Sequence, residues 1–138
     1  MTRLLPGDEL AQGIIQLMQE VPVERAVVLS GVGSLRDVVL RDAKEGAQLP
    51  ITPEQVNTVE LAGPFELVSL QGMIVPGENG PFCHLHASLG AEDGRVWGGH
   101  LLGGTVFSTV ELLLGELVGL TVVKRHSEET GLPEWAPA

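Results

Sequence analysis

The chain has 138 residues, 43% of them hydrophobic, and a formal net charge of −10 from 18 acidic and 8 basic side chains. That length suits one domain with a proper core. No apolar run reaches the 18 residues of a membrane-spanning helix, and the first residues lack the apolar stretch of a secretory signal, so a cytoplasmic protein is expected.

The charge also bears on partners. Nucleic-acid binding rests mostly on phosphate neutralisation by Lys and Arg, and here the basic residues are scattered, with no run beyond Lys124-Arg125. Tyrosine is absent and aromatics are 4%, so platforms for base stacking are scarce as well. Cys83 is the only cysteine and cannot form an internal disulfide.

Residues 7–20 predict an amphipathic helix, with Asp8 as cap, Leu10, Ile14, Leu17, Met18 and then Val21 on the apolar side, and Pro22 as the stop. Residues 25–30 predict a buried strand. Gly31-Val32-Gly33 predicts a tight turn into a second strand over 35–41, with Leu35, Asp37 and Val39 alternating against Arg36, Val38 and Leu40. A phosphate loop is the other reading of those glycines, but Arg36 stands where a dinucleotide fingerprint needs its third glycine, and no helix follows.

Residues 42–53 predict a loop, and 55–61 and 65–75 predict strands, with Gly72 at a bulge or a close approach. After the turn at 76–80, residues 82–89 and 95–102 predict a hairpin around Glu92-Asp93-Gly94. Residues 105–114 suit a strand at their start and are ambiguous beyond it, and 120–124 predict a last strand. Residues 127–138 read as an acidic, loose tail following a domain over 1–126. The sum is an α+β fold: a largely antiparallel sheet of about seven strands with one main N-terminal helix.

Three of the four histidines fall within this hairpin, His84 and His86 on one strand and His100 on the other. Alternation puts Phe82, His84, His86 and Ser88 on one face and Cys83, Leu85, Ala87 and Leu89 on the other. The second face is apolar and reads as core, which makes Cys83 a small buried hydrophobe rather than a ligand. A three-residue loop at 92–94 would pair Ala91 with Arg95 and set His86 opposite His100. A four-residue loop would send His100 to the core side. If the three imidazoles converge, they suit Zn²⁺ with an open fourth position. They could equally hydrogen-bond to neighbours or line a subunit interface. His126 reads as a solvated surface residue. Glu66 and Glu111, carboxylates inside apolar strands, are candidates for general base or imidazole partner, or for plain exposure.

Taken together, Leu4-x-Pro-Gly-Asp-Glu-Leu10, Gly31-x-Gly-Ser-Leu35, Gly63-Pro-Phe-Glu66, Leu67-Val-Ser-Leu-Gln-Gly72, Pro81-Phe-Cys-His-Leu-His86, Asp93-Gly94, Gly98-Gly-His100-Leu and Glu111 resemble the PPC family, the "plants and prokaryotes conserved" domain. The resemblance implies an α+β fold and a homotrimer, with residues 106–114 as a candidate interface strand. It also implies that His84, His86 and His100 form a family metal or ligand site. In plants such domains accompany AT-hooks, whose Arg-Gly-Arg core reads A·T-rich minor grooves. No such motif occurs in these 138 residues. Three functions are therefore expected to compete: a trimeric binding module with a zinc or ligand site, a metal-dependent hydrolase-like enzyme using Glu66 or Glu111, and a DNA-associated regulator, which the charge opposes.

Overall fold

A computed structural model describes all residues, Met1–Ala138. Its elements run β1 (Thr2–Leu4), α1 (Leu10–Glu20), β2 (Ala26–Ala43), a short 3₁₀ turn (Pro53–Gln55), β3 (Val56–Leu61), β4 (Phe65–Gly77), β5 (Gly80–Gly90), β6 (Val96–Glu116), β7 (Val122–His126) and β8 (Pro133–Pro137). The sheet order is β3-β2-β6-β5-β4-β7-β8, with β1 on β6. An additional β2–β4 pairing closes β2, β6, β5 and β4 into a circuit. All ladders are antiparallel except the single β4–β7 pair, Gly77 with Lys124. This is the expected α+β class, with eight strands rather than seven.

The helix begins one residue later than its capping signal suggests. Glu9, not Asp8, is the cap: one of its carboxylate oxygens accepts the N–H of Gln12 at 2.8 Å. The other accepts the N–H of Gly104 at 3.3 Å, so the cap also fastens the helix to β6. Asp8 instead accepts the N–H of Leu5. Leu10, Ile14 and Met18 are buried, Leu17 only partly, and Val21 is exposed. Leu10, Ile14 and Met18 join the inward residues of the long strands, among them Leu35, Leu70, Ile74, Leu85, Leu89, Val106 and Val110, in one core.

The glycines at 31 and 33 do not make a turn. Residues 26–43 form a single strand of 18 residues whose pairing with β6 shifts at four places. Gly33, at φ +155°, sits where a Cβ would run into the backbone of Thr109 and Val110 on β6. A close approach of backbones removes the side chain just as a turn would, so the two read alike in sequence. Further along, Asp37 adopts φ +50° and its N–H bonds to the carbonyl of Ala62. This bulge re-phases the strand. Leu35 is buried before it and Val38 and Leu40 after it, in place of an unbroken alternation.

The ambiguous stretch after residue 105 stays extended: β6 is one strand of 21 residues. The stretch expected to be a loose tail instead carries β8, which pairs with β7 from Val122–Pro137 to His126–Pro133.

Candidate metal centre

Ala91 and Arg95 close the β5–β6 hairpin, with the N–H of Ala91 on the Arg95 carbonyl at 2.8 Å, and Gly94 is left-handed at φ +84°. The loop therefore has three residues. The register follows from it: His86 pairs with His100, Ala87 with Gly99, and Leu85 with Leu101. Leu85, Ala87, Leu89 and Leu101 turn inward and are buried. The imidazoles of His84, His86 and His100 turn to the other side, His84 and His100 half-buried and His86 exposed.

The three rings converge. Their centroids lie 5.2 Å (84–86), 5.0 Å (84–100) and 5.2 Å (86–100) apart, and one ligand atom from each lies within 4.8 Å of the others. The Nε2 atoms of His84 and His86 are 3.2 Å apart, hydrogen-bond distance. Burial, reinforced by the Lys124 ammonium and the neighbouring imidazoles, lowers the pKa of His84 to about 4. Burial lowers His100 as well, with Asp42 opposing. Both rings are held neutral, the form in which imidazole ligates a metal.

The surroundings come from four further strands. On β4, Gln71 pairs with His86 and Met73 with His84, which places both on the histidine face. Trp135 of β8 donates its indole N–H to the Met73 sulfur. Lys124 of β7 holds its ammonium 5.7 Å from the centre of the Phe82 ring, and Phe82 meets His84 edge-on at 6.2 Å. The C-terminal hairpin is thus one wall of the site. On the opposite side, Asp42 near the end of β2 accepts the backbone N–H of His100 at 3.2 Å. Sequence reasoning missed Asp42, because β2 and β6 are brought together only by long-range pairing.

Cys83 packs against the core, as its strand phase predicts. Burial, with the Glu9 carboxylate adding to it, raises its thiol to about 12. Glu66 and Glu111 do not join the cluster. Glu66 is exposed and pairs with Gly90, four residues and about 13 Å of strand beyond His86. Glu111 is exposed and pairs with Val32 and Arg3, eleven residues along β6 from His100. His126 is exposed on β7 and is not one of the three converging ligands.

The family model for the Plants and Prokaryotes Conserved (PCC) domain matches residues 1–118. Among curated proteins the chain is similar to the bifunctional protein GlmU of a Synechococcus strain, 31% identical over 133 residues. Those residues are 96% of this chain and 19% of that protein, so the chain spans about a fifth of the length of the curated relatives it matches. Among solved structures it is similar to a plant- and prokaryote-conserved protein of Pyrococcus horikoshii, with 31% identity, a TM-score of 0.84, and coverage of 99% of this chain and 90% of that one. A metal-containing protein of Archaeoglobus fulgidus superposes with a TM-score of 0.77 at 29% identity over 98% of this chain and 90% of that one. A candidate DNA-binding protein of Ralstonia eutropha reaches 0.83 at 20% identity over 99% and 90%, a likeness of fold alone.

Proposed function

The chain belongs to the Plants and Prokaryotes Conserved domain family, and from that premise we propose that it is a homotrimeric binding and interaction module in which His84, His86 and His100 hold a zinc ion. The observation that carries the reading is the spacing of the imidazole nitrogens. Two nitrogens each about 2.05 Å from a tetrahedral Zn²⁺ lie about 3.3 Å apart, and His84 and His86 stand at 3.2 Å. The donor set fits too, since three neutral imidazoles match a borderline-soft ion. The metal-containing relative from Archaeoglobus fulgidus lends the same support.

A zinc ion bound here would supply a Lewis-acid centre with one open position. The chain's own residues do the rest. Three imidazoles bind, Asp42 fixes the backbone of His100, and Gln71 and Met73 flank the pair on β5. A hydrolytic reading needs a general base within reach of the open position. Glu66 and Glu111, the carboxylates expected to serve, stand outside the cluster, which favours ligand binding over catalysis. A regulator on DNA would have to overcome a net charge of −10.

The trimer is supported by the outward side of the paired β2 and β6 strands. Leu29 (57% exposed), Val32 (61%), Phe107 (48%) and Leu113 (43%) lie there, and Val68 (60%) adds to them from β4. Exposed apolar residues on neighbouring paired strands are the signature of a covered face. Residues 106–114 thus divide, with Val106, Val110 and Leu112 to the core and Phe107 and Leu113 outward.

Elemental analysis of the purified chain tests the metal, with light scattering for the assembly. One zinc per chain in wild type, none in His84→Ala, and a particle of three chain masses are expected. A metal-free protein that refuses added zinc, or a monomer, would overturn the corresponding half.

A further inference from the structure

Beside the histidine cluster lies a cleft of about 320 Å³, between the β4–β5 turn and the C-terminal hairpin. It is lined by Glu78, Asn79, Phe82, Lys124, His126 and Pro133, together with the turn's backbone. We propose that this cleft is a binding site for a small oxyanion, a phosphate or a carboxylate, held by Lys124 with His126. The site is separate from the three imidazoles and adjoins them across the Phe82 ring.

Lys124 carries the argument. It is 7% exposed, the only charged residue among the chain's buried ones. An ammonium out of water is costly unless it is paired and hydrogen-bonded. The chain's ion pairs join Arg25 to Glu24, Arg36 to Asp37 and Arg95 to Asp93, so none reaches Lys124. Its one hydrogen bond is long, 3.4 Å to the Pro133 carbonyl, and a lysine has three protons to give. The remaining support is the face of Phe82 at 5.7 Å. The one carboxylate whose charge acts on Lys124 is that of Glu134 on β8, and it stands too far off to form an ion pair with the ammonium.

The cleft is suited to supplying that missing partner. Lys124 and His126 lie two residues apart on β7, and so on one face of the strand, and both line it. The one carboxylate in the lining, Glu78, sits exposed at the tip of the turn. The volume is at the lower end of the range for small-molecule sites, about 300–1,000 Å³, enough for a phosphate and its waters. An oxyanion here would accept from the ammonium that now has only a long bond, and such charge-assisted bonds are the stronger kind.

The position also gives the site a use. Phe82, His84 and His86 follow one another along the same face of β5, so a ligand anchored by its anionic end at Lys124 would extend over Phe82 toward the imidazoles. That use rests on the metal reading. The oxyanion site does not.

Titration calorimetry of the 138-residue chain at constant ionic strength, with inorganic phosphate in one arm and acetate in the other, tests the site. Saturable binding in the low millimolar range is expected in at least one arm, and the arm that saturates identifies the group. Lys124→Met should weaken it at least about tenfold, or 1.4 kcal/mol, while Lys124→Arg retains it. His126→Gln should weaken it less. His84→Ala should leave it unchanged, which separates this claim from the metal. Should Lys124→Met fail to fold, the wild-type melting temperature decides: it should rise with the binding anion and not with chloride. Absence of saturation in both arms, no anion-specific rise, or equal binding by Lys124→Met would overturn the site and leave Lys124 as a clasp between the hairpin and Phe82.

Discussion

Asp42 and Gly99 occupy complementary space: a Cβ at Gly99 would run into the Asp42 carboxylate, which instead accepts the N–H of His100 next in the chain. Gly99 also holds φ +155°, a conformation side chains rarely adopt. The glycine before His100 is therefore the opening through which β2 reaches a ligand strand and fixes it.

Gly99→Ala should accordingly lose stability, by about 1–3 kcal/mol, and loosen His100. Asp42→Ala leaves the backbone of His100 without its partner and should lower zinc affinity about 10–100-fold. Denaturant unfolding and competitive zinc titration check the two effects. In the Gly99→Ala background, Asp42→Gly should recover part of the lost stability, a coupling that two independent sites would not show.

The metal-free chain should lose stability in mild acid. The pKa of His84 is lowered in the folded state, to about 4 from 6.5, and that of His100 is lowered as well. Between those two values the unfolded chain binds the proton that the folded His84 refuses, so stability falls as pH drops from 6.5 toward 4 and levels off below. Above 6.5 both states are neutral and the contribution is constant. Urea midpoints of zinc-stripped wild type and His84→Gln at several pH values test this. The wild type should fall more steeply through the window, and parallel curves would refute the assignment.

Cys83 should be chemically silent. Its thiol is raised to about 12 by burial and by the Glu9 carboxylate, so almost no thiolate exists at pH 8. Mass spectrometry after iodoacetamide treatment should show little alkylation of the folded chain and full alkylation in urea. Rapid native labelling would place the side chain outside the core.

What could be read from the sequence was what local spacing controls. Period-two alternation put Cys83 on the core side, and the hairpin spacing narrowed the register of His100 to two loop lengths, of which the structure takes the three-residue one that sets it against His86. Gly72 marked a close approach, and a Cβ there would meet the backbone at His84. What escaped depends on partners far along the chain. Gly31 and Gly33 look like a turn until β6 is laid against them. Val38 and Leu40 change phase because Asp37 bulges toward Ala62. The acidic, proline-bearing C-terminus reads as loose because β8 has meaning only beside β7, and with it went the wall formed by Lys124 and Trp135. Asp42 escaped for the same reason, since 58 residues separate it from His100.

Whether three imidazoles hold one metal is read from anomalous diffraction at the zinc edge, with crystals of the zinc-loaded chain. A single peak is expected, about 2.0–2.1 Å from one nitrogen each of His84, His86 and His100. Crystals with no peak there, and with His84 and His86 still hydrogen-bonded to each other, would contradict it.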